Sequence, residues 1–400
     1  MSSSVCPQPV SLRRILWDVV LISLMFFLGF LARFIFVPLM PTLEREWKIS
    51  HEGAGTFFLF MAFGFISGQI LSGLFSSRWN HRGNLIISAF LVGLSLFLVT
   101  LAPSLSILRI FLILLGFSAG LHLPSAVATI AASVDHEDLG KAMGVHQTAP
   151  ILGMIIGPFL VEASFNVMSW RLLLCVISTS SVLLGLLFCL LGRTGSFAGK
   201  PPTVGHVKAV TGYPGFWVMV VIIGAGIGAA VGVYSMLPLF LIHEKGLNLS
   251  KANVLVGMSR IPCLFLTFLG GWLSDRLGMK ITMAGSIIAS GLALVGLVWS
   301  KGFLMNLFVF LQPALVSLFF APAFAALSRC VPSTQRSIAT SLAPPLAFVI
   351  GGGVIPYLLG YLGEHWSFSA GMGVIGIYSI GVAFLLMFLQ FHPVEEGEGC

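Results

Sequence analysis

The chain of 400 residues is 57% hydrophobic and only 9% charged, with a mean hydropathy of +1.01 and a formal charge of +7. Soluble domains carry about 25% charged residues, so these proportions exclude that class and define a membrane protein. The positive charge lies in short loops, none long enough to form a basic domain, which excludes a nucleic-acid surface.

Twelve apolar runs each supply the roughly 20 residues that a helix needs to cross a hydrocarbon layer about 30 Å thick. They lie at about 15–40, 55–76, 85–102, 107–132, 142–164, 171–191, 214–242, 252–274, 281–299, 303–327, 338–361 and 369–391. Barrel strands would alternate over about ten residues, so the runs are helices. The first follows Arg13 and Arg14, as in a signal peptide. It is too long for one and no small-x-small cleavage site follows, so it is read as a retained span. It holds Arg33, whose guanidinium keeps its proton.

Arg78 and Arg82 follow the second run. The fourth carries Gly116, Gly120, His122 and Pro124, and the fifth carries His146, Gln147, Gly153, Gly157 and Pro158. After the sixth comes the longest loop, 192–215, which is polar, basic and rich in Gly and Pro. Tyr234 lies in the seventh run, Arg260 in the eighth, and Gln312 and Pro322 in the tenth; Asp275, Arg276 and Lys280 follow the eighth. Cys6, Cys175, Cys189, Cys263, Cys330 and Cys400 show no paired spacing and are read as packing residues. No metal, cofactor or catalytic site is expected.

Sliding one half over the other by 198 residues aligns Gly73 with Gly271, Arg78 with Arg276, Pro124 with Pro322, Gly153 with Gly351 and Pro158 with Pro356. Five landmarks at one offset argue for duplicated halves. The expected fold class is an all-α membrane protein of twelve transmembrane helices in two pseudo-repeated six-helix bundles. The bundles are residues 1–192 and 214–400, joined by a cytoplasmic linker at 193–213.

Loop charges set the orientation. With both termini cytoplasmic, that side holds twelve Lys and Arg (Lys200 among them) and the other side seven. Two of the 21 remain, Arg33 and Arg260, both within spans. The acids all belong to loops or span ends: Asp18 begins the first span, Glu162 nearly ends the fifth, Glu44, Glu46, Glu52, Glu244 and Glu364 are read as outer, and Glu395, Glu396 and Glu398 as inner.

"GWLSDRLGMK" at 271–280 resembles the loop signature of the major facilitator superfamily, G-x-x-x-D-R-x-G-R/K-R/K, keeping Gly271, Asp275, Arg276, Gly278 and Lys280. The first copy, "GLFSSRWNHR" at 73–82, has Ser77 for the acid and Asn80 for the glycine. "GMIIGP" at 153–158 and "SWRLL" at 169–173 are similar to the family's fifth-span and sixth-span elements, whereas its fourth-span arginine is not matched, Leu112 standing there. The resemblance implies the major facilitator fold, with Arg78, Arg82, Asp275, Arg276 and Lys280 as cytoplasmic gating charges and the first-copy latch weakened by Ser77. Monocarboxylate and oxalate-type members carry a substrate-binding arginine in the eighth span, which Arg260 resembles. The aspartate that precedes it by four in the animal carriers is replaced by Val256, and the eleventh-span lysine of oxalate exchangers is absent.

The repeat separates scaffold from function. Arg33 falls on Val231 and Arg260 maps back to Ala62, so neither arginine is needed to build a half. Each costs about 2.5–3.5 kcal/mol when central, which something must offset. Both are expected about 12–14 Å from the outer ends of their spans, further than an arginine stem snorkels. A guanidinium fork matches a carboxylate or phosphate, so an anionic substrate is the expected counterion. His122, His146, Gln147, Tyr234 and Gln312 are candidate supporting donors, and the two histidines are candidate proton carriers. The phenylalanines do not suggest an aromatic cage.

The expected function is secondary active transport of a small organic anion, a mono- or dicarboxylate, by alternating access in the inner (cell) membrane. Arg33 and Arg260 hold the anion, and a proton or an exchanged anion moves with it by symport or antiport. The protein is expected to act as a monomer. The alternatives are a drug or amphiphile exporter, which usually places acids in its cavity, and a transporter-like ligand sensor. No nucleophile elbow, phosphate loop or metal cluster points to an enzyme.

Overall fold

The computed structural model describes residues 10–165, 167–199 and 204–391; Cys6, Lys200, Glu395, Glu396, Glu398 and Cys400 lie outside these. Among the described residues the regular structure is helical apart from one β-bridge, Val10 to Val134. The helices are α1 (Leu12–Phe34), α2 (Phe36–Trp47), α3 (His51–Thr100), α4 (Leu105–Ser133), α5 (His136–Ser164), α6 (Trp170–Leu191), α7 (Val204–Thr211), α8 (Pro214–Ile227), α9 (Val233–His243), α10 (Leu249–Met258) and α11 (Cys263–Leu277). They continue as α12 (Met279–Trp299), α13 (Gly302–Ser317), α14 (Phe320–Arg329), α15 (Arg336–Phe348), α16 (Ile355–His365) and α17 (Phe368–Ala383).

Several of these abut end to end, leaving eleven helical stretches long and apolar enough to cross a membrane. One of them, α3, has 50 residues, about 75 Å at 1.5 Å per residue, more than twice a bilayer core. It breaks at Trp79 and Asn80, where Asn80 takes φ 57°, so it supplies the second and third crossings and the chain makes twelve. This break explains a departure in the loop motif. At the 198 offset Asn80 corresponds to Gly278, which has φ 88°. The position demands a left-handed backbone, which Asn tolerates better than other side-chain-bearing residues. The Oδ1 of Asn80 also accepts a 2.7 Å bond from the Gly83 amide, capping the third crossing.

The chain divides into two compact units, Met1–Pro201 with Ser235–Arg260, and Pro202–Tyr234 with Ile261–Cys400. In the first, α4 lies against α3 along a seam of small residues. A Cβ at Gly116 would meet the Met61 carbonyl, and one at Gly120 the Phe65 carbonyl and the Gly68 Cα. Without a hydrophobic force between helices in lipid, such close backbone contact is what holds them. Across the same seam Asn84 donates to the Leu121 carbonyl and to the hydroxyls of Ser72 and Ser125. Asp18 is buried and accepts from the backbone N–H groups of Arg193 and Thr194, both at 2.8 Å, tying the start of the linker to α1. Asp138 accepts from Lys141 and from the Leu12 amide, which hold its carboxyl below the usual range.

In the second unit the core runs along Phe216, Met219, Ile223, Phe319, Ala343 and Ala347. A π-helical turn at Gly228–Gly232 interrupts the seventh crossing and another at Val349–Val354 the eleventh. The two turns meet, because a Cβ on Gly351 would fall 2.5 Å from the Gly224 carbonyl and the Gly228 nitrogen. Gly153, its repeat partner, packs on Phe30 of α1, so the fifth crossing meets the first as the eleventh meets the seventh. The helix starts at Ser50, Ser104, Ser169, Asn248 and Ser367 are each capped by that side chain, and all five open even-numbered crossings, so they share one face of the membrane. Cys175, Cys189 and Cys330 are not in disulfides.

Replacing Gly120 by Leu forces backbones apart and is expected to cost about 1–3 kcal/mol or more, read as a lower melting temperature in detergent. Gly285→Ala, where an added Cβ meets nothing within 4 Å, is the control and should melt like wild type.

Candidate functional site

Arg33 lies one residue before α1 ends, beside the interruption at Ile35. Pro38 has no N–H for the Phe34 carbonyl and Pro41 none for that of Val37, which loosens the helix just beyond the arginine. The crossing then runs on to Trp47, fourteen residues past Arg33. That is about 21 Å of helix beyond the arginine. Arg33 is 3% exposed, and its guanidinium carbon lies 4.1 Å from the Phe65 ring centroid, 5.2 Å from Phe30 and 5.6 Å from Phe34. An aromatic enclosure that composition did not reveal therefore surrounds this cation, at distances suited to cation–π attraction.

A cavity of about 10 Å³ is lined by Arg33, His122, Phe26, Gly29 and Ser88, joining α1, α3 and α4. That volume holds about one water. Phe26 stacks on His122 at 5.4 Å and on His146 at 4.5 Å, the three rings lying parallel within 4°, and the histidine rings are 5.9 Å apart. His146 is completely buried, and neither ring nitrogen has a hydrogen-bond partner among the described residues; His122 Nε2 also lacks one. Phe26 is the residue that sequence reasoning missed. Its apolar side chain carried no signal, yet it brings the two histidines together.

Arg260 is equally buried at 3% and sits in a non-helical turn, 259–262, between α10 and α11. Its amide bonds the Gly257 carbonyl at 3.2 Å, and Pro262 withholds the donor that would continue the ladder. It lies eleven residues past Leu249, about 16 Å along the helix. The α10 segment packs on α5, with Gly257 against Phe159 and the Ile155 carbonyl. By contacts Arg260 thus belongs to the same unit as Arg33, although the repeat assigns their crossings to opposite halves.

The other candidates are dispersed. Tyr234 is fully buried in α9, and Gln147, next to His146, is exposed. Gln312 donates to the Ala229 carbonyl at 2.9 Å and to Ser290 Oγ at 3.0 Å, so its amide satisfies the interrupted seventh crossing. Of the loop charges, Arg82 donates to the Cys189 carbonyl at 2.8 Å, while its amide and that of His81 bond Gly195 and Phe197 of the linker. Arg78 approaches Trp79, Arg276 approaches Trp272, and Lys280 approaches Phe391; Asp275 is exposed.

The description "Major Facilitator Superfamily" belongs to the family model that matches residues 22–306 and 246–399. The chain belongs to the major facilitator superfamily. It is therefore a multi-pass membrane transporter rather than an enzyme. A relative from Bacillus subtilis (strain 168), "Uncharacterized MFS-type transporter YceJ", is 26% identical over 297 residues, 72% of this chain and 73% of its own. The "Probable nitrate/nitrite antiporter NarK1" of Thermus thermophilus is 25% identical over 70% of this chain and 66% of its own. The "Probable sulfoacetate transporter SauU" of Cupriavidus necator is 23% identical over 68% of both. "Multidrug resistance protein 2" of Bacillus subtilis matches a third of each chain at 28%. A bacterial homologue of the human lysosomal transporter Spinster, solved inward-facing and occupied, shares the fold at a TM-score of 0.79, 15% identity, 95% coverage of this chain and 97% of its own.

His146→Phe keeps a ring against Phe26 and removes two buried nitrogens that the fold leaves unbonded. It is expected to shift unfolding by no more than about 1 kcal/mol, whereas Phe26→Ala should cost about 3 kcal/mol or more. Thermal unfolding of the two variants checks both.

Proposed function

We propose that this superfamily member carries a small organic anion, a carboxylate or a close analogue, with Arg33 as the primary anion-binding group and His122 and His146 beside it. The single observation that carries the reading is the placement of a permanent cation, 3% exposed, at an interruption in the first crossing, in a cavity shared with a buried histidine. Half-helix ends at mid-membrane depth are where such carriers bind. A guanidinium offers paired donors to a carboxylate or sulfonate. Relatives named for nitrate/nitrite and sulfoacetate add support, since both cargoes are anions.

Arg260, at the interruption of the eighth crossing, is assigned to the same cargo. His122 and His146 are assigned the uptake of a proton that accompanies the anion. The cavity admits only a water-sized guest and is lined wholly by α1, α3 and α4, so side chains within the first half must give way to admit the cargo, while Arg78, Arg82, Asp275, Arg276 and Lys280 are the charges remade at the cytoplasmic face as the halves rock. We assign the inner membrane, both termini to the cytoplasm, and a working monomer.

Thermal unfolding of purified protein against a panel of organic anions and cations tests this. A cargo at 100 times its Kd stabilises by about 2.7 kcal/mol. Wild type should respond to a subset of carboxylates or sulfonates, and Arg33→Gln and Arg260→Gln should not. Stabilisation by cations alone would favour the exporter reading, and an unchanged anion response in both variants would contradict the assignment.

A further inference from the structure

We infer that Glu44, His51 and His243 form a zinc-type divalent metal site at the membrane face opposite the linker. Asp18 and the linker mark one end of the first crossing, and Glu44, near the end of α2, marks the other. His51 opens α3 and His243 closes α9, so three separate helix ends contribute one ligand each. His51 Nδ1 lies 2.8 Å from Glu44 Oε1, and His243 Nε2 lies 3.9 Å from Glu44 Oε2. The imidazole rings are 4.7 Å apart and nearly perpendicular, at 69°. All three ligand atoms fall within 4.8 Å of one another.

Tetrahedral zinc with bonds of about 2.0–2.1 Å holds its donors about 3.3 Å apart, so each of these spacings is within about 1.5 Å of what coordination needs. Rotation of two imidazoles supplies that movement. Two imidazoles and one carboxylate select zinc, nickel or copper over calcium and magnesium, which take oxygen donors. Three protein ligands leave a fourth position for water, and a cavity of about 320 Å³ lined by Glu44, His243 and Asn248 opens beside them. Glu44 is 8% exposed while His243 is 45% exposed, so the carboxylate is the fixed anchor and His243 the ligand that closes over the ion. Arg45 lines the same cavity, its Nε donating to the Pro41 carbonyl at 3.1 Å.

An ion here ties the end of the seventh crossing's α9 to the ends of the first and second. Read with the proposed transport cycle it is a brake: these ends must move to change access, and zinc holds them. The binding itself does not depend on the identity of the cargo.

The test is calorimetric titration of zinc into tag-free protein in detergent, with melting curves alongside. Wild type should bind one zinc per chain with a Kd in the micromolar range or tighter, about 8 kcal/mol. It should melt higher with zinc and respond to neither magnesium nor calcium. His243→Asn, at an exposed position where folding is safe, should lose at least tenfold in zinc affinity while its metal-free melting temperature stays that of wild type. His51→Gln should lose affinity likewise. Zinc binding that survives both substitutions, absence of binding to wild type, or an equal response to magnesium would overturn the assignment. Loss of anion response with zinc binding intact would strike only the proposed cargo.

Discussion

A guanidinium cannot shed its proton to enter a bilayer, and this constraint organises the rest of the protein. Arg33 is 3% exposed within the first crossing, and the sequence around it is arranged to receive it. Pro38 and Pro41 loosen the helix just beyond it, and Phe30, Phe34 and Phe65 bring ring faces to its charge. The cavity it shares with His122 is water-sized and buried. Local chemistry, helix geometry and packing all serve one charge, which natural sequences accept only where function repays it.

The internal repeat shows how this was built. Architecture recurs at the 198 offset in residues with mechanical duties: Gly153 and Gly351 bring crossings together, and Asn80 and Gly278 both turn with positive φ. Interruptions recur too, near Ile35 in the first crossing and at Gly228–Gly232 in the seventh. Only the chemistry breaks the symmetry. The first crossing places an arginine at its interruption, while the seventh places Val231 there, with Gln312 of the tenth satisfying the backbone of Ala229.

Much of the fold was legible because it rests on hydropathy over long windows. Predicted runs such as 171–191 and 281–299 meet helices Trp170–Leu191 and Met279–Trp299 almost residue for residue. The tight two-residue turn at Trp79 and Asn80, which leads the second crossing straight into the third, was not legible, since Asn80 does duty for a glycine and caps the next helix. Arg33 and Arg260 stood out as charges in apolar runs. The role of Phe26 did not, because an apolar residue in an apolar helix carries no contrast. Gln312 looked like a ligand and is committed to a carbonyl that only the π-helical turn sets free. Glu44 read only as an outer acid and His51 and His243 carried no signal, because helix ends distant in sequence meet only in the folded unit.

Counterflow in liposomes asks the central question most directly. Vesicles holding purified protein and loaded with an unlabelled organic anion, sulfoacetate first, should accumulate the labelled anion from outside, and vesicles with Arg33→Gln should not, at equal protein incorporation. Equal accumulation by the variant, or counterflow of a hydrophobic cation in place of any anion, would contradict the claim that the buried guanidinium receives the cargo.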